Sequence, residues 1–398
     1  MGRMFCRFLM TLAASAVIIV AGCAPKATMG ENRQAARDRW SESRSKIMYS
    51  MARQQFDAGD LDKAEKSIVQ ALSIEPEQAA YHTLAARIMM ERGDLERAFH
   101  TLDRSISLKP DRAESHYYMA VVLQRWQRYD AALERYEAAY RLAPDQVSNL
   151  MAVAEMLVKL DRADEAIARL SGKLDYFEHN AAIHVAIGRL HMLQRDFRPA
   201  VSRLREASLL APEDTTIIEH LALAEVAAGA YSDAVYRLNQ LLGDARYAER
   251  NDLRLALGNC YMAMKQLQDA RGIFIEITRR QPDDVQAWLK LAEVSVMGGD
   301  RVRLAESARR VLALAPHRYE GYMLRGIHER DNGQIDAALA SFDRASQIAA
   351  GNAQPLILKG MTLEQSGDRL GAAAAYQQAL RVAPEDDRPR RLLAALAG

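Results

Sequence analysis

Residues 353–386 read AQPLILKGMTLEQSGDRLGAAAAYQQALRVAPED, and Gly360, Ala372, Tyr376, Ala379 and Pro384 within them mark slots that recur along the chain. Counting back from Ala372 in steps of 34 residues gives Ala338, Leu304 and Ala270. After one two-residue offset the series continues through Ala234, Ala200, Ala166, Ala132, Ala98 and Ala64. Twelve residues upstream of each lies only Ala or Gly: Ala52, Ala86, Ala120, Ala154, Gly188, Ala222, Gly258, Ala292, Gly326 and Gly360. Twelve residues downstream lie Pro76, Pro110, Pro144, Pro212, Pro282, Pro316 and Pro384. A repeat of this length predicts stacked helix pairs rather than a single enclosed core.

Bulk properties agree with a packed protein and exclude several classes. Of 398 residues, 49% are apolar, enough to bury extensive surface. The 53 basic and 52 acidic residues leave a net charge of +1, which gives no electrostatic footprint for nucleic acid and no acidic tail. Three cysteines, Cys6, Cys23 and Cys260, are too few for a disulfide framework.

The spacing of small residue, alanine and proline, with aromatic and Leu positions between, resembles the tetratricopeptide repeat. Leu257, Gly258, Tyr261, Ala270, Phe274 and Pro282 carry the resemblance in one unit, and Ala120, Ala132, Tyr136, Ala139 and Pro144 in another. It implies an all-α fold, an α-solenoid superhelix of about ten helix-turn-helix units. The units run 45–78, 79–112, 113–146, 147–180, 181–214, 215–248, 251–284, 285–318, 319–352 and 353–386. The organisation expected is thus repeats one to six over 45–248, repeats seven to ten over 251–386, and a closing helix over 387–398.

Each slot has a physical reason. The Ala or Gly on the first helix and the Ala on the second allow their backbones to approach where they cross. Gly59, Gly93, Gly229, Gly299, Gly333 and Gly367 fall at the turn between the helices, where a left-handed residue ends the first helix. The prolines close the second helix's connection. Acids after them, Asp111, Asp145, Glu213 and Asp283, are expected to help open the next helix. Leu392, Leu393 and Leu396 are expected to cover the last repeat, with Arg388, Arg390 and Arg391 in water. Two places depart from the pattern: residues 243–250, the best candidate seam between two sub-stacks, and Leu304 in an alanine slot. Local drift is one reading of each; a bend or a partner loop is the other.

The first 22 residues read as an export signal: Arg3 and Arg7, then an apolar stretch from Phe8 to Ala21, too short to span a bilayer. Val20-Ala21-Gly22-Cys23 resembles a bacterial lipobox, which implies cleavage before Cys23 and acylation, including palmitate, of that residue. Two or three chains on one cysteine anchor stably, since each buried CH₂ contributes roughly 0.8 kcal/mol. Ala24 after the cysteine, by the same resemblance, implies outer-membrane sorting facing the periplasm, or the cell membrane where there is only one. Met1-Gly2 could suggest myristoylation, but Cys6 stands where that motif needs Ser or Thr. Residues 23–44 form a tether and a lead-in helix.

Signatures of chemistry are lacking. His82, His116 and His184 share one slot on the first helix, which reads as packing. His184 and His191 have no third ligand at metal spacing. No phosphate-cradling glycine loop, nucleophile elbow or zinc motif occurs. Cys260 beside Tyr261 reads as a small buried hydrophobe. The expectation is a non-enzymatic protein with no cofactor, no metal and no small-molecule substrate.

In proteins with this repeat, the first helices line the inner wall, and that resemblance selects the candidate binding residues. One end offers Lys46, Tyr49, Arg53, Phe56, Arg87, Tyr117 and Arg125, a basic-aromatic set. The rest is apolar and methionine-rich: Met151, Val158, Val185, Met192, Leu223, Val226, Leu255, Met262, Leu289, Val296, Met297, Met323 and Ile327. Either these pack neighbouring helices or they line a groove for an extended peptide or apolar helix of a partner protein. Asn259 stands without the lysines of the carboxylate-clamp version of the family, so a chaperone C-terminus is an unfavoured ligand. The expected function is a lipid-anchored scaffold that assembles or tethers an envelope complex such as a pilus, secretion or export system. The alternatives are a recruiter of a cell-wall or polysaccharide-export enzyme and a generic adaptor.

Overall fold

The computed structural model describes residues 29–397; the expected export signal and Cys23 lie outside them. Every element among the described residues is an α-helix, and these fall into two compact units that divide between Arg162 and Ala163. The first holds α1 (Met29–Asp57), α2 (Leu61–Ile74), α3 (Ala79–Glu91), α4 (Leu95–Leu108), α5 (Ala113–Arg125), α6 (Tyr129–Leu142) and α7 (Val147–Lys159). The second holds α8 (Ala163–Ser171), α9 (Ala181–Leu193), α10 (Phe197–Leu210), α11 (Thr215–Ala228), α12 (Tyr231–Leu242), α13 (Asn251–Ala263) and α14 (Leu267–Arg280). It continues with α15 (Val285–Gly298), α16 (Arg301–Leu314), α17 (Tyr319–Asp331), α18 (Ile335–Ile348), α19 (Gln354–Gln365), α20 (Arg369–Val382) and α21 (Asp387–Ala397). Within each unit successive helices pack against one another.

Within each unit the alanine slots sit where successive helices cross. Ala64, Ala98, Ala132, Ala166, Ala200, Ala234, Ala270, Ala338 and Ala372 are all fully buried. The glycines on the first helices answer a different neighbour, the residue 16 positions later on the second helix. A Cβ on Gly258 would fall 2.5 Å from the Phe274 ring, and one on Gly326 would fall 2.6 Å from that of Phe342. Gly360 faces Tyr376 in the same way. Small and large are therefore paired across each crossing, as close packing requires.

The same logic accounts for Leu304. Ala308, four residues on, occupies the slot that holds Phe274, Phe342 and Tyr376 elsewhere, and both Leu304 and Ala308 are buried. The side-chain volume has moved one helical turn, so the departure is an exchange within the core. Leu304 joins Ala292, Ile327 and Phe342 in one apolar cluster.

All ten turns between paired helices use a left-handed residue. Six are the expected glycines, and Gln127, Asp161, Arg195 and Lys265 adopt the same conformation with φ between 59° and 62°. The next residue caps the second helix where it is Asp60, Asp94, Asp300 or Asp368. At the first helices the capping acceptor is one residue beyond the acid that follows proline. Asp214 accepts from the Thr216 N–H at 2.9 Å, and Asp284 from the Gln286 N–H at 2.8 Å. The acids next to proline therefore stand one position early for capping; Arg112 and Gln146 at the cap make no side-chain capping bond.

The stretch 243–250 lies inside the second unit, where α12 and α13 pack continuously, while the division falls within repeat four. Polar groups pin the extra residues. The Arg254 guanidinium, buried in the slot that holds His82 and His116 in earlier repeats, donates to the Ala248 carbonyl at 2.6 Å and to Glu276 at 3.0 Å. Arg250 joins Glu219 and Asp252, each at 2.7 Å. Glu225 on α11 is fully buried between Arg237 at 3.3 Å and Arg205 at 3.6 Å. Burial outweighs these cations and holds its carboxyl above the usual range. At the C-terminal end Leu392 packs against the cluster of Leu356, Ile357 and Ala379.

Candidate protein-binding faces

In the first unit the basic-aromatic set forms a ladder across the first helices α1, α3 and α5. Tyr49 stacks on Tyr81 with ring centroids 4.8 Å apart. The Arg87 guanidinium lies 4.7 Å from the Phe56 ring centre and 4.8 Å from that of Tyr118, with Glu114 at 3.6 Å. These contacts hold Arg87 flat and place its charge between two rings. Tyr117 meets Tyr136 edge-on at 5.3 Å. Burial pushes the Tyr136 hydroxyl well above its ordinary pKa, and that hydroxyl donates to Gln124 at 2.7 Å. Arg125 donates to the Met90 carbonyl at 3.0 Å. Arg53 and Lys46 are exposed and pair within α1, to Asp57 at 4.0 Å and Glu42 at 2.6 Å.

A shallow groove of about 420 Å³ runs between α5 and α7, lined by Val121, Gln124, Arg125, Tyr129, Glu155 and Lys159. Its rim carries both signs of charge, and Gln124 bridges its two sides by donating to Glu155 at 2.9 Å. Met151, also on α7, is half-buried. The groove's lining was not singled out in the sequence apart from Arg125; the recurrence of these residues at first-helix positions was the available signal.

In the second unit the methionines divide. Met192, Met262 and Met323 are half-buried against apolar clusters, as are Val185, Val226, Leu255 and Leu289. Ile327 is buried. Leu223, Val296 and Met297 remain open, with 38%, 40% and 51% of their surface exposed. Leu193 and Met361, also on first helices, are exposed as well. An open apolar face here therefore consists of fewer and different residues than the full methionine series.

The histidines do more than fill space. His82 Nε2 lies 2.7 Å from the Pro76 carbonyl oxygen and His116 Nε2 lies 2.8 Å from that of Pro110. Trp288 donates to the Pro282 carbonyl at 2.9 Å from the same slot. Each side chain clamps the turn six residues before it. Cys260 is fully buried, which pushes its thiol up to about 11 and makes it a poor nucleophile. Among the described residues no three His, Cys, Asp or Glu side chains converge as metal ligands. No helix among them is long and apolar enough to cross a membrane. Cys23, the expected acylation site, lies outside the described residues.

Comparison with known proteins returns the tetratricopeptide repeat family, whose models match residues 55–122, 225–294 and 353–386. No curated protein matches the sequence. Among solved structures, PilF of Pseudomonas aeruginosa is 14% identical, with 53% of this chain and 98% of that one covered at a TM-score of 0.45. Yeast Tom70 is 13% identical over 89% of this chain and 88% of its own, at a TM-score of 0.42. The thermophilic repeat protein TTC0263 of Thermus thermophilus is 20% identical, covering 45% of this chain and 98% of its own, at a TM-score of 0.37.

Proposed function

This chain belongs to the tetratricopeptide repeat family, and from that premise we propose that it is a lipid-anchored scaffold that holds partner proteins at a bacterial envelope membrane. The repeat fold is that of a protein–protein interaction scaffold. The observation that carries the binding role is the set of open apolar side chains on first helices of the second unit, Leu223, Val296 and Met297. Isolated apolar residues on a surface need no explanation, but a set on equivalent helices marks a face suited to a partner's apolar helix or extended peptide.

The anchor rests on Val20-Ala21-Gly22-Cys23 following a short apolar segment. Acylation of Cys23 would hold a bound partner at the membrane and raise its effective concentration there, which suits assembly of a pilus, secretion or export complex. Ala24 supports an outer-membrane, periplasm-facing location.

Two measurements test this reading. Cys23→Ser should abolish acyl labelling; label that persists removes the anchor. Photocrosslinkers at Leu223 and Met297 should capture the same partner in living cells, while probes at the exposed second-helix residues Tyr236 and Val302 should not. Capture from the second pair alone would remove the first-helix face as the binding surface.

A further inference from the structure

Helix α1 is 29 residues long, about twice the first helices that follow, and its N-terminal half precedes the first repeat. Arg33, Arg37, Trp40, Arg44, Ile47 and Met51 are spaced alternately by four and three residues. At 100° per residue they fall in a stripe about 80° wide. All six are exposed, Trp40 by 64% and Ile47 by 56%. The Arg44 guanidinium lies 5.4 Å from the Trp40 ring centre. The acids Asp38 and Glu42 lie on the other side of the helix, as do Ser45, Tyr49 and Ala52, through which it packs. A chain that is nearly neutral overall thus displays one helix face with three arginines, a tryptophan and two apolar residues, and no acid.

We propose that this face of α1 lies on an anionic lipid surface. The inference rests on the anchoring of Cys23. Only five residues, 24–28, separate Cys23 from Met29, and fully extended they reach no more than about 20 Å. An acyl group on Cys23 therefore confines the arginine end of α1 to the neighbourhood of the headgroups. Trp is suited to that boundary, and arginines beside it extend their charges to lipid phosphates. With the stripe facing lipid, the packing side formed by Ser45, Tyr49 and Ala52 faces away from it. A second copy fits the face less well. Two chains anchored in one membrane would align in parallel, opposing arginine to arginine along half the seam.

The test uses the full acylated chain in vesicles of phosphatidylethanolamine with or without phosphatidylglycerol. A fluorophore is attached through Ile47→Cys or, in a separate protein, Glu42→Cys; Cys260 is buried and does not compete. Headgroup nitroxide lipids should quench the label at position 47 severalfold more than that at position 42, only with phosphatidylglycerol present, and less at high salt. Replacing Arg33, Arg37 and Arg44 together with Gln should remove the difference, each arginine contributing on the order of fivefold in surface affinity. Equal quenching at both positions, or indifference to phosphatidylglycerol and to the arginines, overturns the proposal. So does excimer formation between position-47 labels without lipid quenching, which would make the face a dimer seam. Acyl labelling of Cys23 is read separately. A chain without acyl groups that still floats with phosphatidylglycerol vesicles through these arginines removes the anchor and keeps the helix face.

Discussion

The Nε2 atom of His116 lies 2.8 Å from the carbonyl oxygen of Pro110, six residues before it. A carbonyl only accepts, so the imidazole N–H donates and closes the turn between two repeats. Trp288 and Pro282 repeat the relation, and Arg254 with Ala248 and Arg390 with Pro384 reproduce it with a guanidinium. Replacing His116 by Phe keeps most of the bulk and deletes the donor. The expected loss is about 1 kcal/mol, read as a lower urea midpoint with an unchanged slope. His116→Gln, if the amide reaches the same carbonyl, should recover part of it. Equal stability of wild type and His116→Phe would show that the clamp is incidental.

The exchange between Leu304 and Ala308 makes a paired prediction. Leu304→Ala leaves two alanines at one crossing and should lower stability by about 2–4 kcal/mol. Adding Ala308→Leu restores the arrangement of the other repeats and should recover most of it. In the converse direction, Ala200→Leu sets a leucine beside buried Leu204 and should cost about 1–3 kcal/mol, relieved by Leu204→Ala. Additive effects in thermal unfolding of either double variant would exclude volume exchange as the cause.

These cases mark what the sequence could reveal. Within each unit the alanine grid located the crossings except at Leu304, because a small residue there lets two helix backbones approach. It did not reveal that Gly258, Gly326 and Gly360 make room for Phe274, Phe342 and Tyr376. That pairing was visible at a spacing of 16, but reading it requires knowing which side chain leans over which backbone. Leu304 looked like a fault because its compensation, Ala308, sits in another slot. Residues 243–250 looked like a seam because no period predicts that Arg254 turns back onto the Ala248 carbonyl. On the proposed binding face, the period placed Met192, Met262 and Met297 on equivalent helices. Exposure depends on the neighbouring side chains, which is why only Met297 is open.

Four turns hold a non-glycine residue in the left-handed region. Lys265, at φ 61°, carries the steric penalty of its Cβ there. Lys265→Gly should stabilise the second unit by about 0.5–1 kcal/mol after the greater chain entropy of glycine is subtracted. Gly299→Ala at the equivalent turn, at φ 70°, should destabilise by a similar amount. The pair is checked by calorimetry. A fall in melting temperature on introducing glycine at position 265 would show that its side chain contributes more than its strain removes.

Glu225 gives a pH dependence with a defined sign. Burial raises its carboxyl pKa above the ordinary 4.5, and Asp233 adds to the rise, while Arg237 and Arg205 oppose it. Below 4.5 the group is protonated in folded and unfolded chains alike, and its contribution to stability is fully present. As pH rises through the folded value, the buried carboxyl must ionise and that contribution is lost. Glu225→Gln cannot ionise and still offers an oxygen to Arg237. The variant should match wild type in acid and exceed it increasingly as pH rises towards neutrality, in melting temperature measured across that range. A difference independent of pH would mean that the Glu225 carboxyl titrates alike in the folded and unfolded chains, so that burial does not raise it.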